Sequence, residues 1–273
     1  MSLSIDAWLE HGARELREVA ERPRREAEIL LGHCLKKERI YLVTHLDEEV
    51  EPEGYTQMLQ RRAMNEPMEY ITSSVSFFSQ EFYAAPGALI ARPETEILIE
   101  KTLEVLDPST TESIVEVGVG SGIISIVLAQ HLKHASFLAT DISEEALKVA
   151  RKNLELKSMS ERISLLQTDL LDGIEKKIDI LVSNPPYIEN GVKLESNLDY
   201  EPQNALFGGD VGDEILRRLI DEAFRRDVRI LACEMGYDQK EKIQAYCKDF
   251  GFKSLEFYCD YEGHDRGFIM ELR

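Results

Sequence analysis

The sequence predicts an α/β fold whose mostly parallel sheet occupies the C-terminal part of the chain, preceded by a small helical domain. Two observations lead there. From Pro93 onward, short apolar runs alternate with amphipathic helical stretches, the order that a parallel sheet with crossover helices requires. Before that point the opening segment reads as helices, followed by a strand-rich stretch with a Pro-Gly turn. At 273 residues and 43% apolar content, the chain can bury two modest cores. The expected division is a helical domain at 1–74, a β-hairpin connector at 75–91 and an α/β domain at 92–273.

In the first domain, helices are expected over Ser4 to Ala20, over Pro23 to Lys36 and over Glu53 to Asn65. Pro23 fits a first helical turn, where its missing N–H costs nothing. In the connector, Val75 to Ile90, the turn is expected at Pro86-Gly87. Ser113 to Val117 then reads as a short buried strand, followed at once by Gly118-Val119-Gly120-Ser121-Gly122 and the apolar helical run Ile123 to Leu132. Glycines let a backbone turn tightly and approach a ligand, and the helix N-terminus supplies free N–H groups. The dinucleotide fingerprint places two residues before its third glycine, whereas one stands here, which disfavours a nicotinamide cofactor.

The next strand, Ser136 to Thr140, ends in Asp141. A carboxylate there can accept from a ribose diol, or it can cap the helix Glu144 to Leu156, a task equally open to Ser143. A third strand, Ile163 to Gln167, runs into Thr168-Asp169-Leu170. Asp169 can accept from an adenine amino group and Leu170 can cover a ring face, or both are ordinary loop residues. The fourth apolar run, Ile178 to Val182, ends at Asn184-Pro185-Pro186-Tyr187. Two prolines stiffen this exit and hold the residue before each in extended conformation. Neither offers an N–H, and the Asn184 side chain adds an acceptor oxygen beside the local carbonyls. An incoming –NH2 group can satisfy both acceptors; the alternative is a plain strand-ending turn. All four places lie at carboxyl ends of strands, where open α/β sheets bind ligands.

Taken together, these segments resemble the class I S-adenosylmethionine-dependent methyltransferases of the amino-group type, which have a Rossmann-like, mostly parallel seven-stranded sheet. Leu89-Ile90-Ala91-Arg92-Pro93-Glu94-Thr95-Glu96 narrows the likeness to the bacterial glutamine methyltransferases that modify peptide-chain release factors. Tyr70 to Phe82, Glu201-Pro202 through Ala205-Leu206, Gly208-Gly209, Glu234-Met235-Gly236 and Gly263-His264-Asp265-Arg266 extend it over nearly the whole chain. Against the usual pattern, Ala91 stands for a proline, Ser73 for a glycine, Glu116 for an aspartate and Leu170 at a position often aromatic.

The resemblance implies methyl transfer from S-adenosyl-L-methionine to the side-chain amide nitrogen of the glutamine in the release factor's Gly-Gly-Gln loop. It assigns the cofactor to Gly118, Val119, Gly120, Ser121, Gly122, Asp141 and Leu170, with Asn184 bordering it. The glutamine amide falls to Asn184, Pro185, Pro186 and Tyr187, with Asn184, Pro185 and Tyr187 as the catalytic set and the Tyr187 ring packed on the amide plane. A protein substrate needs more surface than a small methyl donor, so the helical domain is expected to recognise the partner.

Two alternatives are methylation of a ribosomal-protein glutamine, by related enzymes with a different sequence after the Arg92-Pro93 step, and of adenine in nucleic acid, against which composition speaks. The net charge is −19, with 10 basic against 16 acidic residues in 1–85 and 22 against 35 thereafter. A duplex-binding adenine methyltransferase normally carries a basic footprint, so direct DNA binding is not expected. Arg22-Pro23-Arg24-Arg25 and Arg61-Arg62 are mixed with or flanked by acids and read as solvated helix faces. Cys34, Cys233, Cys247 and Cys259 form no C-x-x-C pair, and the six histidines lack ligand spacing, so no metal is expected. With neither a bilayer-length apolar stretch nor a signal peptide, a cytoplasmic protein without membrane association is expected.

Overall fold

A computed structural model describes residues 2–273. They fall into two compact units, one reaching to Ser74 and including Glu195–Tyr200, the other comprising Val75–Leu194 and Glu201–Arg273.

The first unit contains β1 (Leu3–Ser4), α1 (Ile5–Glu15), α2 (Pro23–Leu35), α3 (Arg39–Thr44), β2 (Glu49–Val50), α4 (Tyr55–Ala63) and α5 (Met68–Thr72). Ser4 caps α1 by accepting the Ala7 N–H at 3.2 Å. α1 stops at Glu15, short of the expected Ala20, and Leu16 to Val19 close as a turn instead. α2 starts on Pro23 as expected and ends where Lys36 adopts a left-handed φ of 53°. The helices bury Leu9, Leu30, Leu31, Leu42, Tyr55 and Leu59 in one core, with Tyr55 edge-on to Trp8 at 5.8 Å. Arg62 corrects the expected solvated face: its side chain is 12% exposed and bonds Glu26 at 2.6 Å. Arg24, Arg25 and Arg61 likewise hold Asp6, Glu28 and Glu66. Within the same unit, the Tyr200 hydroxyl donates to the Met64 carbonyl at 2.8 Å, and Asn65 Nδ2 reaches Ser196 Oγ at 2.9 Å.

The second unit opens with a hairpin, β3 (Ser74–Phe77) and β4 (Gln80–Tyr83), of which Ser74 itself falls at the end of the first unit. Its turn is Phe78-Ser79, both with left-handed φ (51° and 56°), while the expected Pro86-Gly87 turns the chain only after the hairpin is complete. A turn of this kind usually carries Asn-Gly, so nothing in Phe-Ser announced it. There follow α6 (Glu94–Glu104), β5 (Ser113–Val117), α7 (Ile123–His131), β6 (Ser136–Asp141), α8 (Glu144–Leu156), β7 (Ile163–Gln167), β8 (Ile180–Ser183), β9 (Ile188–Glu189), β10 (Phe207–Gly209), α9 (Glu214–Arg225), β11 (Ile230–Glu234), α10 (Lys240–Tyr246), β12 (Ser254–Cys259) and β13 (Asp265–Glu271).

The seven-stranded sheet has the order β12-β13-β11-β8-β5-β6-β7, parallel from β11 to β7 and antiparallel at β13 and β12. This is the expected mixed α/β architecture. Strand residues alternate between faces. Val115 and Val117 therefore join a core with Leu216, Leu219 and Ile220 of α9, while the intervening Glu116 reaches Ser125 of α7. The strand order reverses between β5 and β8, and pairing of Val117 with Ser183 brings Gly118 beside Asn184. Such a switch point leaves a crevice at the carboxyl ends of the strands.

Candidate active site

A cavity of about 350 Å³ lies at this crevice, within the range of small-molecule sites. Its first wall is the turn between β5 and α7. Gly118, Gly120 and Gly122 all have left-handed φ, at 71°, 52° and 82°, a conformation that costs any other residue strain. Gly120 has open space where a side chain would begin, whereas a Cβ added at Gly122 would sit 3.2 Å from Leu154 and 3.3 Å from Ala150 of α8. The Val119 N–H donates to the Thr140 carbonyl at 2.8 Å and the Gly120 N–H to the Asp141 carboxylate at 2.9 Å. α7 behind the turn has seven of its nine residues buried, so the turn rests on a fixed base.

Asp141 ends β6 and is buried. Its second carboxylate oxygen accepts the Ser143 N–H at 2.9 Å, and Ser143 caps α8 by accepting the Ala146 N–H. The cap thus belongs to Ser143 and leaves Asp141 in the cavity wall. Burial raises the Asp141 pKa, while the N–H groups of Gly120, Ser143 and Ile142 pull it back down. Glu116 lies in the same wall, bonded by the backbone N–H and hydroxyl of Ser125. Burial pushes its carboxyl up to about 8, and the charge of Asp141 adds to that effect.

Leu170 lines the cavity with φ 48°, a strained conformation for leucine, and its carbonyl accepts the Thr140 hydroxyl at 2.9 Å. Asp169 also lines it and is held by Arg218 of α9 at 2.7 Å.

The opposite wall contains Asn184, Pro185 and Pro186. They follow β8, all of whose residues are buried, so the exit direction is fixed by the sheet. Asn184 Nδ2 donates to Thr95 Oγ1 at 3.1 Å, and the Thr95 hydroxyl donates to Glu234 Oε2 at 2.8 Å. Among the described residues no donor reaches Asn184 Oδ1 or the Pro185 carbonyl. Tyr187 is not in the cavity wall. Its hydroxyl donates to Glu234 Oε1 at 3.2 Å, and its carbonyl accepts from Gln239 Nε2 at 3.0 Å. The structure therefore brings together Gly118 to Ser121, Asp141, Leu170, Asn184, Pro185 and Pro186. Gly122 supports the turn from the α8 side, and Tyr187 stands outside the wall rather than over the cavity.

Several residues of this site carried no role in the sequence. Thr95, in the first turn of α6, and Glu234, the last residue of β11, are both buried. Burial raises Glu234 to about 7, against the pull of its bonds to Thr95 and Tyr187 and of the Arg266 charge. Arg266 is fixed in turn by Asp260 at 2.7 Å. Arg92 borders the cavity and is clamped by buried Glu201, which also accepts the Ile90 N–H at 2.9 Å. Gly208 lies so near the Pro186 carbonyl that an added Cβ would sit 2.4 Å from its oxygen. The available signal was positional: Glu234, like Asp141, is a carboxylate closing a buried parallel strand.

Comparisons with known proteins extend these observations. Residues 94–200 match the family described as the methyltransferase small domain, and residues 7–72 that described as the PrmC N-terminal domain. The release factor glutamine methyltransferase of Moorella thermoacetica is 38% identical over 262 residues, covering 93% of each chain. That of Buchnera aphidicola is 35% identical over 273 residues, covering 97% of this chain and 98% of its own. Among solved structures, the ribosomal protein L11 methylase of Lactobacillus delbrueckii superposes with a TM-score of 0.51 at 24% identity, over 69% of this chain and 83% of that one. The human Mettl16 catalytic domain, solved with an RNA hairpin, gives 0.60 at 14% identity, over 83% and 85%. At these identities the two structures speak for the fold alone.

Proposed function

Since this chain belongs to the release factor glutamine methyltransferase family, we propose that it methylates the side-chain amide nitrogen of the glutamine in the Gly-Gly-Gln loop of peptide-chain release factors, with S-adenosyl-L-methionine as donor. One observation carries the reading. Asn184 presents a carbonyl oxygen, beside the Pro185 carbonyl, with no donor among the described residues to occupy either.

The donor wall suits a nucleoside. Gly120 offers open backbone, Asp141 a buried carboxylate at a strand end, and Leu170 an apolar surface. Gly118, Val119, Gly120, Ser121, Asp141 and Leu170 would hold the cofactor, and Gly122 would keep the turn seated on α8. Bound there, S-adenosylmethionine would supply a sulfonium methyl group, with its sulfur as the leaving group that keeps the bonding electron pair.

An amide nitrogen is a weak nucleophile because its lone pair is delocalised into the carbonyl, so orientation must compensate. Asn184 Oδ1 and the Pro185 carbonyl each accept one N–H of the glutamine amide. Both protons are then pinned, and the nitrogen gains electron density. Pro185 and Pro186 keep these acceptors stiff, so little ordering remains to be done when substrate arrives. The methylated nitrogen is strongly acidic and loses its proton without a dedicated base. Tyr187 braces the segment through Glu234.

The test is incubation of the protein with methyl-labelled S-adenosylmethionine and, separately, a release factor, the same factor with its loop glutamine replaced by alanine, ribosomal proteins and DNA. Label is expected only on the unaltered release factor. Label on DNA alone, or undiminished label on the altered factor, would overturn the proposal.

A further inference from the structure

Asn184 can serve as an acceptor only if its carboxamide faces the right way, because the two ends of an amide are nearly equal in size and opposite in hydrogen-bonding character. We infer that Thr95 and Glu234 are positioning residues, which fix the Asn184 carboxamide with its oxygen toward the acceptor amide through a one-way chain of hydrogen bonds. The inference rests on the assignment of the glutamine amide to Asn184.

Proton counting gives the chain its direction. Glu234 Oε1 already accepts from the Tyr187 hydroxyl at 3.2 Å, and Oε2 lies 2.8 Å from Thr95 Oγ1. With Glu234 ionised, the form that its bonds from Thr95 and Tyr187 favour, the single proton of the threonine hydroxyl goes to the carboxylate and leaves Oγ1 only lone pairs on its remaining side. The Asn184 group 3.1 Å away must then be the –NH2, so Oδ1 points away from Thr95. With the amide reversed, two acceptors would face each other in a buried site, the kind of unpaired arrangement that costs most where water cannot enter. Thr95 is 5% exposed and Glu234 1%.

The fold supplies each link from a different segment. Thr95 comes from the first turn of α6, Glu234 from the end of β11, beside β8 in the sheet, and Tyr187 from the segment after β8. Arg266 on β13 faces Glu234 and Tyr187 with a positive charge and is itself held by Asp260. The Thr95 and Tyr187 segments are therefore joined through the Glu234 carboxylate, with the Arg266 charge acting on it.

The experiment compares Thr95→Val, which keeps the shape and removes the hydroxyl, with Thr95→Ala and Thr95→Ser. Methyl transfer from labelled S-adenosylmethionine to a release factor is followed together with cofactor affinity by calorimetry. Val and Ala are expected to lower kcat by about 10–100-fold, as loss of a supporting hydrogen bond does around other sites, while Ser stays within about threefold. Cofactor affinity is expected to be unchanged in all three. A kcat in both Val and Ala within about twofold of the parent, or a Ser variant as impaired as Val, would overturn the positioning role. A loss of cofactor affinity matching the loss of kcat would also overturn it, since a merely structural defect spreads to both. Asn184→Ala, run alongside, separates the two levels: full activity there refutes the assignment of the amide to Asn184.

Discussion

The two walls of the cavity are built by different means. On the wall proposed for the methyl donor, shape comes from backbone conformation: three left-handed glycines, a left-handed leucine, and N–H groups turned onto one carboxylate. On the wall proposed for the acceptor amide, the sheet and two prolines fix the backbone, and side chains meet from distant segments, Asn184 with Thr95 and Thr95 with Glu234. Each wall contains a carboxyl whose pKa burial raises, Glu116 to about 8 and Glu234 to about 7; at Glu234 the bonds from Thr95 and Tyr187 and the Arg266 charge favour the ionised form. Binding of a common, flexible small molecule can rely on peptide groups, which any sequence of suitable φ provides. Selecting one face of an amide requires particular side chains in a particular orientation.

That contrast can be broken from either side. The largest effect is expected from Asn184→Ala, which should lower kcat on the order of 10²–10³-fold, the scale for removing one preorganised polar group from a reacting centre. Cofactor affinity should be nearly unchanged, and a parallel loss of it would show that the two walls are not separable.

Next comes Glu116→Gln, read by chemical denaturation at several pH values. Burial raises the Glu116 carboxyl from an ordinary value near 4.5 to about 8, so the folded chain keeps a proton that the unfolded chain releases. Its contribution is therefore complete below about pH 4.5 and is lost as pH rises toward 8. Relative to the Gln variant, the parent should lose a few kcal/mol over that interval, at about 1.4 kcal/mol for each tenfold fall in proton concentration. A difference that does not vary with pH would contradict the buried neutral carboxyl.

A smaller effect is expected from Asp141→Ala, which should weaken cofactor binding by about 1–3 kcal/mol, the scale of a hydrogen bond to a charged group. Since Asp141 also holds the Gly120 and Ser143 N–H groups, calorimetry should be paired with a melting measurement. An unchanged dissociation constant would remove Asp141 from the donor site.

The same contrast governs what the sequence could reveal. The strand, glycine turn and helix at 113–132 were legible because every signal in them is local: β-forming residues, glycines at fixed offsets, an apolar helix. Asp141 and Asn184 were legible as polar residues closing apolar runs. Thr95 was not, because nothing near it indicates that Asn184 will arrive from 89 residues away. Tyr187 was expected over the substrate amide, but its hydroxyl instead finds the buried carboxylate Glu234, whose need for a donor is set by tertiary burial. Arg62 misled in the opposite way, since a charge that looks solvated in sequence is partly buried against Glu26 once α2 and α4 pack. Leu170 lines the cavity, but in a strained conformation that no propensity would assign to leucine.

The Phe78-Ser79 turn bears on the order in which the chain assembles. Two left-handed residues without glycine or asparagine give the hairpin no local drive to close. What holds it comes from elsewhere: the Phe78 N–H donates to Glu96 of α6 at 2.6 Å, and the Phe78 ring sits edge-on to His131 of α7 at 5.9 Å. Both partners must already be in position, so the hairpin is expected to zip up after the folding barrier has been crossed. Replacing Phe78-Ser79 by Asn-Gly should then change the unfolding rate and leave the folding rate nearly constant; a faster folding limb would place the turn in the nucleus instead. In kinetic terms, this hairpin is a latch: it adds to the lifetime of the folded domain and contributes little to the speed of its formation.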